Sequence, residues 1–281
     1  MQSPLIKSTI NTDIYQALLR NLRRRRGFGM VFVRCYPVQG KAIIQKVKAD
    51  LTQKKIDVLE LETEINHLYD LIKEKKNNDL DILFITGIEK SFVNYIKPGI
   101  GGQGDYYKLD TIPALLGHLN WHRERFRDDF NCCLVFLVPL FALKYLLRRS
   151  PDFYDWRSGV FEVPMDRDQL EKESLRTINE GNYNQYLSWT IEARNQKILE
   201  INELIAQPLQ NESTKVDLLF EMGLLYAANI NYQEAIEAWN KALEIKPDYD
   251  EAWNNRGIAL GNLGRYEEAI ASYDQALEIK P

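Results

Sequence analysis

The sequence predicts an α/β domain followed by an all-α array of helical hairpins. Short apolar runs alternate with amphipathic stretches over residues 12–165, and a 34-residue unit occurs twice over residues 214–281. No apolar stretch approaches the length of a membrane-spanning helix, so we expect no membrane segment. The composition, 45% apolar and 27% charged, is typical of a soluble globular protein.

Five apolar runs in the first part of the chain are predicted to be strands. Segments with helical spacing lie between them and before the first. Because these runs are almost continuously apolar, they indicate a mostly parallel, five-stranded sheet with helices on both faces. The predicted strands are 29–36, 57–62, 81–88, 132–138 and 159–163, and the predicted helices are 12–25, 39–53, 63–76, 109–126 and 139–149.

The turn after the first strand reads CYPVQGKA over residues 35–42. A phosphate-binding loop has the form G-x-x-x-x-G-K-[ST], and Gly40 and Lys41 match its end. Cys35 replaces the first glycine, Ala42 replaces the hydroxyl residue that binds Mg²⁺, and no aspartate ends the third strand. We therefore expect no catalytic residues and no bound cofactor. If ATP and Mg²⁺ do bind, Gly40 and Lys41 are the predicted phosphate contacts.

Several features of residues 12–165 resemble the nucleotide-binding domains of STAND-type signalling ATPases, in an eroded form. They are the strand order, the Gly40-Lys41 pair, LNWHRERFRDDF at 119–130 and SPDFYDWRSGVFEV at 150–163. The resemblance implies a P-loop NTPase-like fold and a role as a switch or scaffold in a signalling protein. An ATP-binding switch that hydrolyses ATP is the first alternative to a scaffold.

The back of the chain contains an internal repeat. Residues 214–247 and 248–281 are both 34 residues long and both end in ALEIKP. Equivalent positions are Gly223 with Gly257, Ala235 with Ala269, Trp239 with Tyr273, and Pro247 with Pro281. Small residues let two antiparallel helices approach, large ones fill the remaining space, and proline ends the second helix. The unit resembles the tetratricopeptide repeat, which implies stacked helical hairpins that bind proteins.

In tetratricopeptide folds the first helix of each unit lines a concave surface, which we call the concave groove. The matching positions mix apolar, acidic and amide side chains and include no lysine or arginine. They favour a protein partner that presents a helix or an extended segment with some basic character. The predicted groove residues are Asp217, Phe220, Leu224, Ala228, Glu251, Asn254, Ile258 and Asn262.

Residues 166–213 carry helical spacing and are expected to link the two parts and cap the first repeat. We therefore expect three regions: 1–165, 166–213 and 214–281. Repeats bury their apolar faces on neighbours, and the sequence ends at Pro281 without a capping helix. We expect either a longer natural array or another molecule over this end, including a second copy of the chain.

Charge is unevenly distributed. Residues 1–165 carry 25 Lys and Arg against 19 Asp and Glu, whereas residues 166–281 carry 11 against 21, which gives +6 and −10. The densest cluster, Arg23, Arg24, Arg25 and Arg26, suits the C-terminal end of a helix. It is also a candidate site for phosphate, nucleic acid or an acidic partner. Nucleic-acid binding is the second alternative function, although the acidic part of the chain would repel it.

Two further motifs predict no site. His118 and His122 lie four residues apart, a spacing typical of metal ligands, but no third ligand is close in the sequence and His67 stands alone. We therefore predict surface or core histidines and no metal. The G-x-G-x-x-G pattern at residues 99–104 lacks a preceding strand and a following helix, so it predicts a surface loop.

The sequence thus predicts a cytoplasmic, non-catalytic scaffold for signalling or assembly. It would bind a protein partner through its repeats and carry a vestigial nucleotide-binding-like domain. The three cysteines, Cys35, Cys132 and Cys133, form an odd set without disulfide spacing, which indicates buried thiols in a reducing cytosol.

Overall fold

The computed structural model describes residues 12–75, 79–97, 99–100, 106–107 and 111–281. The chain divides into two units. The first comprises residues up to 96 together with 107–166, and the second comprises residues 97–106 and 167–281. Most of the glycine-rich loop at 99–104 lies outside the described residues.

A five-stranded parallel sheet forms the centre of the first unit. Its strands are β1 (Gly29–Arg34), β2 (Ile56–Glu60), β3 (Ile82–Thr86), β6 (Cys133–Val138) and β7 (Arg157–Glu162). They lie in the order β2-β3-β6-β1-β7, and every neighbouring pair is parallel. Two short strands, β4 (Ile96–Lys97) and β5 (Tyr106–Tyr107), form a separate two-stranded sheet. All five predicted strands are confirmed, with ends that shift by no more than two residues.

The central strands are buried as their sequences require. β1, β3 and β6 are buried along almost their whole length, whereas β2 and β7 lie at the edges and are partly exposed. A strand covered on both faces can be apolar at consecutive positions. Phe32 pairs with Phe136 in the register of β1 and β6, and their rings stack with centroids 4.9 Å apart.

Helices cover both faces of the sheet. They are α1 (Thr12–Arg24), α2 (Pro37–Asp50), α3 (Leu68–Lys75), α4 (Ala114–Asp129), α5 (Leu140–Arg149) and α6 (Pro151–Tyr154), with 3₁₀ turns at Ile88–Ser91 and Val93–Tyr95. On one face, α1 and α2 share a core with Val31, Val33 and Phe84. On the other, Phe153 of α6 packs edge-on against Phe136, with centroids 6.0 Å apart.

Two helices, α2 and α4, begin at other residues than predicted, and a proline determines each start. α2 begins at Pro37 rather than at residue 39, because proline fits the first turn, where no N–H is needed. α4 was predicted from residue 109 but begins after Pro113. Proline disfavours helical geometry at the residue before it, which keeps the helix from extending further back.

The second unit contains two helical hairpins preceded by three helices. The preceding helices are α7 (Arg167–Asn179), α8 (Tyr183–Ser188) and α9 (Ile191–Ile205), and the hairpin helices are α10 (Glu212–Ala228), α11 (Tyr232–Ile245), α12 (Asp250–Asn262) and α13 (Tyr266–Ile279). Thr190 and Asn211 cap α9 and α10 by accepting backbone N–H bonds with their side chains. A parallel sheet followed by a helical array confirms the predicted fold class.

Close packing within each hairpin follows the small and large positions of the repeat. A methyl group at Gly223 would overlap the indole of Trp239, and one at Gly257 would lie 2.6 Å from the ring of Tyr273. Trp239 is 2% exposed, and its Nε1 donates to the Phe220 carbonyl oxygen at 3.2 Å. Glycine is therefore required where the two helices cross.

All three cysteines are free and buried, as predicted. Burial raises the pKa of Cys133 to about 12, so its thiol stays protonated and inert. Within the described ranges, no helix is both long and apolar enough to cross a membrane.

Candidate functional site

A cavity of about 580 Å³ opens between the start of α12 and the end of α13. Three of the eight predicted groove residues line it: Phe220, Glu251 and Asn254. The remaining lining residues are Asp250, Asn255, Tyr273, Ala276, Leu277 and Lys280. The structure therefore places part of the concave groove beside apolar surface supplied by the second helix of the repeat.

The other predicted groove residues differ in exposure. Asp217 and Leu224 on α10 are half-buried, and Ile258 and Asn262 on α12 are exposed. Ala228 is buried at 6% exposure, so its side chain offers little surface to a partner.

Carboxylates converge on one aromatic side chain at the groove. Burial, and then the negative charges of Asp217, Glu251, Glu221 and Asp250, raise the pKa of Tyr249 above its usual value. The Tyr249 ring packs against Phe220, with centroids 4.9 Å apart. The groove thus combines an aromatic surface with a concentration of negative charge.

Two lysines lie at the margin of this acidic surface. Lys246 Nζ is 4.7 Å from the centroid of the Tyr249 ring, and Lys280 Nζ is 3.7 Å from Asp250 Oδ2. Both follow the second helix of a repeat, so the sequence prediction based on the first helices missed them. Burial raises the pKa of Asp217, and the nearby Lys246 partly opposes that shift. The acidic groups still outnumber the basic ones.

The outer face of α13 is apolar and exposed. Tyr266 is 69% exposed, and Ile270 is 59% exposed. In stacked repeats this face packs on the next helix. Coverage by a further repeat or by a second copy of the chain stays a prediction.

An arginine-rich cavity, which we call the arginine cleft, lies at the end of α1. It has a volume of about 560 Å³ and is lined by Ala17, Arg20, Asn21, Arg24, Arg25, Arg26 and Phe161. Three of the four predicted arginines therefore share one cavity, and Arg23 does not line it. Arg20 was missed by the sequence analysis, although its spacing of four residues from Arg24 places both on one helix face.

The guanidinium groups of the arginine cleft have no acidic partner in the part of the chain that the structure describes. None of the ion pairs there involves Arg20 or any residue from Arg23 to Arg26. Four unpaired guanidinium groups around one cavity create a positive potential that favours an anion.

The crevice expected of a parallel sheet lies at the carboxyl ends of β1 and β6. From β1 the chain continues towards β2 at one edge of the sheet, and from β6 it continues towards β7 at the other edge. The space between the ends of β1 and β6 is therefore the topological switch point. The connection from β1 to α2 contains only Cys35 and Tyr36. Gly40 and Lys41 therefore lie inside α2, with Gly40 buried and the Lys41 side chain exposed.

The backbone amides near this turn already donate within the protein. Cys35 N donates to the Val138 carbonyl at 3.1 Å, and Tyr36 N donates to Gln39 Oε1 at 3.0 Å. Gly40 N donates to the Tyr36 carbonyl at 3.2 Å. In a phosphate-binding loop such amides point at the phosphate. Gly40 and Lys41 therefore lie near the switch point, but the backbone around them does not form a phosphate-binding loop.

The three histidines of the chain meet on the surface of the first unit. The ring centroids of His118 and His67 are 4.9 Å apart, and those of His118 and His122 are 4.1 Å apart. Asp70 lies with them, since the ligand atoms of His67, Asp70 and His118 are all within 4.8 Å of one another. No third ligand was evident close to His118 and His122 in the sequence, and the packing of α3 on α4 is what brings His67 and Asp70 to His118.

The histidine cluster is electrostatically unusual. Burial, together with the nearby His122 and His67, lowers the pKa of His118 to about 4. The His118 imidazole is therefore neutral at neutral pH, with a lone pair available on one ring nitrogen.

Two family models match the back of the chain. The model of the TPR repeat matches residues 223–264, and that of the tetratricopeptide repeat matches residues 250–281. The C-terminal region therefore carries tetratricopeptide repeats, as the repeat pattern predicted.

The chain is similar in sequence to part of one known protein, and a comparison with solved structures gives one weak match. An uncharacterized protein of Methanocaldococcus jannaschii is 35% identical over 51 residues, which are 18% of this chain and 59% of that protein. The chain thus spans little more than half the length of that relative. A solved structure of a RuvB mutant from Thermotoga maritima is 13% identical with a TM-score of 0.36, covering 90% of this chain and 81% of that one. A TM-score this low carries no argument about fold or function.

Proposed function

We propose that this protein is a non-catalytic scaffold that binds a segment of a protein partner in the concave groove of its tetratricopeptide repeats. The observation that carries the proposal is the acidic and aromatic surface around Tyr249 in a repeat type that mediates protein interactions. The partner segment is a helix or an extended peptide with lysine or arginine beside a large apolar residue.

Charge complementarity accounts for the basic part of the partner. The negative charges of Asp217 and Glu251 both raise the pKa of Tyr249, and the Glu251 side chain is exposed to a partner. A cationic side chain would be attracted by this negative charge and steered to the groove from a distance.

Apolar surface next to these charges explains why the partner segment should also carry a large apolar residue. Leu277 is 59% exposed and lines the cavity together with Tyr273 and Phe220. Binding energy in protein interfaces concentrates where a large side chain fills such a cavity and water is excluded around it. A partner side chain of the size of leucine or phenylalanine suits this place.

Peptide selection on the intact chain tests the proposal. Random peptides displayed on phage are selected on immobilised protein, and the affinities of the selected peptides are measured by fluorescence anisotropy. We expect sequences that pair lysine or arginine with a large apolar residue. Selected peptides that are acidic, or that lack basic residues, would contradict the proposal.

A charge-reversal pair locates the binding surface. Glu251→Lys reverses a charge in the groove and is expected to weaken the selected peptides about tenfold or more, equivalent to about 1.4 kcal/mol. Glu237→Lys makes the same change at an exposed position of α11, whose residues do not line the cavity. Equal affinity of both variants for the peptides would place binding elsewhere.

We further infer that the first unit is a vestigial nucleotide-binding-like domain. The short Cys35-Tyr36 connection and its internally bonded amides support this inference. Thermal unfolding with millimolar ATP or ADP, with and without Mg²⁺, is expected to show no stabilisation. Stabilisation that disappears in Lys41→Ala would instead support the alternative, an ATP-binding switch.

The arginine cleft favours a second candidate function, the binding of an anion such as a nucleic-acid phosphate. Binding of a fluorescent single-stranded oligonucleotide would weaken steeply with salt. Replacement of Arg24 and Arg25 by glutamine would weaken it further. Arg24→Gln alone and Arg23→Gln each remove one positive charge, and Arg23→Gln serves as the control because Arg23 lies outside the cavity. No binding at low salt would exclude nucleic acid as the ligand.

A further inference from the structure

We propose a Zn²⁺-binding site in the first unit, formed by His67, Asp70 and His118. The site is independent of the concave groove and of the proposed scaffold function. It combines two imidazole nitrogens with one carboxylate oxygen, a donor set that suits Zn²⁺ and neighbouring transition metals better than Mg²⁺ or Ca²⁺.

Two packed helices bring the ligands together. His67 directly precedes α3, and Asp70 lies in its first turn, so a spacing of three residues places both on one side of the helix start. His118 lies on α4. The Tyr69 ring of α3 packs edge-on against Phe126 of α4, with centroids 5.6 Å apart. Because this contact belongs to the core, it fixes the distance between the two halves of the site.

The ligand spacing is close to that of a metal site. The three ligand atoms lie within 4.8 Å of one another. Zinc bonds of about 2.0–2.2 Å require ligand atoms about 3.4 Å apart, so the donor atoms must approach one another by up to about 1.4 Å. His67 and Asp70 are both exposed, so rotation of their side chains can supply this movement without disturbing the core.

The ring of His118 lacks the partner that a buried imidazole normally has. Its Nδ1 atom is buried and has no hydrogen-bond partner among the described residues. A buried polar atom without a partner costs free energy. A metal ion bound at Nδ1 would supply the missing partner.

His122 holds His118 in position rather than ligating. The His122 ring stacks on that of His118, and its Nδ1 lies 3.1 Å from the His118 carbonyl oxygen. Three protein ligands leave a coordination position open to water or to a side chain of another molecule.

Metal titration of the untagged full chain tests the site. The protein is dialysed against a chelator and then titrated with Zn²⁺ by calorimetry. Co²⁺ replaces Zn²⁺ for absorption spectroscopy. We expect one ion per chain and a visible Co²⁺ spectrum of four-coordinate type, without the sulfur charge-transfer band that cysteine ligands would give.

Variants of exposed residues separate this site from adventitious binding. Asp70→Asn and His67→Gln are each expected to weaken Zn²⁺ binding about 100-fold or more, since even indirect partners of a metal typically contribute 10–100-fold. Glu74→Gln removes one charge from an exposed position of the same helix and is expected to leave the affinity unchanged. Circular dichroism confirms that each variant is folded. No Zn²⁺ binding, or equal affinity of Asp70→Asn and Glu74→Gln, would overturn the proposal.

Discussion

Addition of one methyl group at Gly223 is expected to destabilise the first repeat strongly. The added carbon would overlap the indole of Trp239, which is almost completely buried. Displacement of the ring would also break the bond from Trp239 Nε1 to the Phe220 carbonyl, now 3.2 Å long. Replacement of glycine by alanine in a helix would otherwise be favourable.

The opposing contributions give the expected size of the effect. Overpacking of a core costs about 1–3 kcal/mol, and loss of the hydrogen bond costs about 1 kcal/mol. The higher helix propensity of alanine than of glycine stabilises the variant by about 1 kcal/mol. We therefore expect Gly223→Ala to lower the free energy of unfolding of the second unit by about 2 kcal/mol.

Two other glycines provide matched comparisons on α12. Gly257→Ala brings the new carbon to 2.6 Å from the ring of Tyr273, which is only partly buried and can move. We therefore expect a smaller loss of unfolding free energy than for Gly223→Ala. Gly261 has no atom within 4 Å of the added carbon, so Gly261→Ala should stabilise the helix by about 0.5–1 kcal/mol. Native-state hydrogen exchange of peptides from α10 to α13 measures all three. If Gly223→Ala were as stable as Gly261→Ala, the proposed close packing would be refuted.

The stability of each unit is also expected to depend on one polar side chain that is removed from water, almost wholly in the second unit and partly in the first. Burial raises the pKa of Glu221 from 4.5 to about 7, while the Tyr186 hydroxyl donates to Glu221 Oε2 at 2.7 Å. The stability that this raised pKa contributes is complete below pH 4.5 and is lost as the pH rises through 7. Urea unfolding followed by hydrogen exchange should therefore show that this group makes the second unit about 3 kcal/mol less stable at pH 8 than at pH 4.5. The dependence should be much smaller in Glu221→Gln, with a remainder from Asp217 and Glu200, whose pKa values are also raised. A flat profile in the wild type, or equal profiles in the wild type and Glu221→Gln, would contradict this. In the first unit, Asn120 Oδ1 accepts from Ser150 Oγ at 2.7 Å and from Phe153 N at 3.1 Å. Asn120→Ala removes the acceptor of Phe153 N, whereas Ser150 Oγ keeps the Leu116 carbonyl oxygen at 3.4 Å. The variant should cost about 1–2 kcal/mol in thermal or urea unfolding, and a loss below about 0.5 kcal/mol would mean that water replaces the amide.

Local patterns were sufficient to predict the fold and the repeats. The apolar run from Cys133 to Val138 needs cover on both faces, so it could only be a central strand of a covered sheet. Gly223 and Trp239 recur as Gly257 and Tyr273, and that recurrence alone indicated where the hairpin helices touch. In these cases the residues that determine the structure lie within one element or one repeat.

The candidate sites were harder to predict because they depend on packing between elements. His67 is far in sequence from His118, and only the packing of α3 on α4 brings them together. Lys280 reaches the groove because α13 returns antiparallel to α12 and places it beside Asp250. The helix α2 begins at Pro37, two residues before its predicted start, so only Cys35 and Tyr36 separate it from β1. The proline itself indicated this start.

The affinity of one selected basic peptide, measured side by side for three forms of the chain, tests the proposed scaffold function. The forms are the wild type, Glu251→Lys and Glu237→Lys. We expect the wild type and Glu237→Lys to bind equally and Glu251→Lys to bind about tenfold more weakly or worse. Equal binding by all three would show that the concave groove does not recognise the peptide.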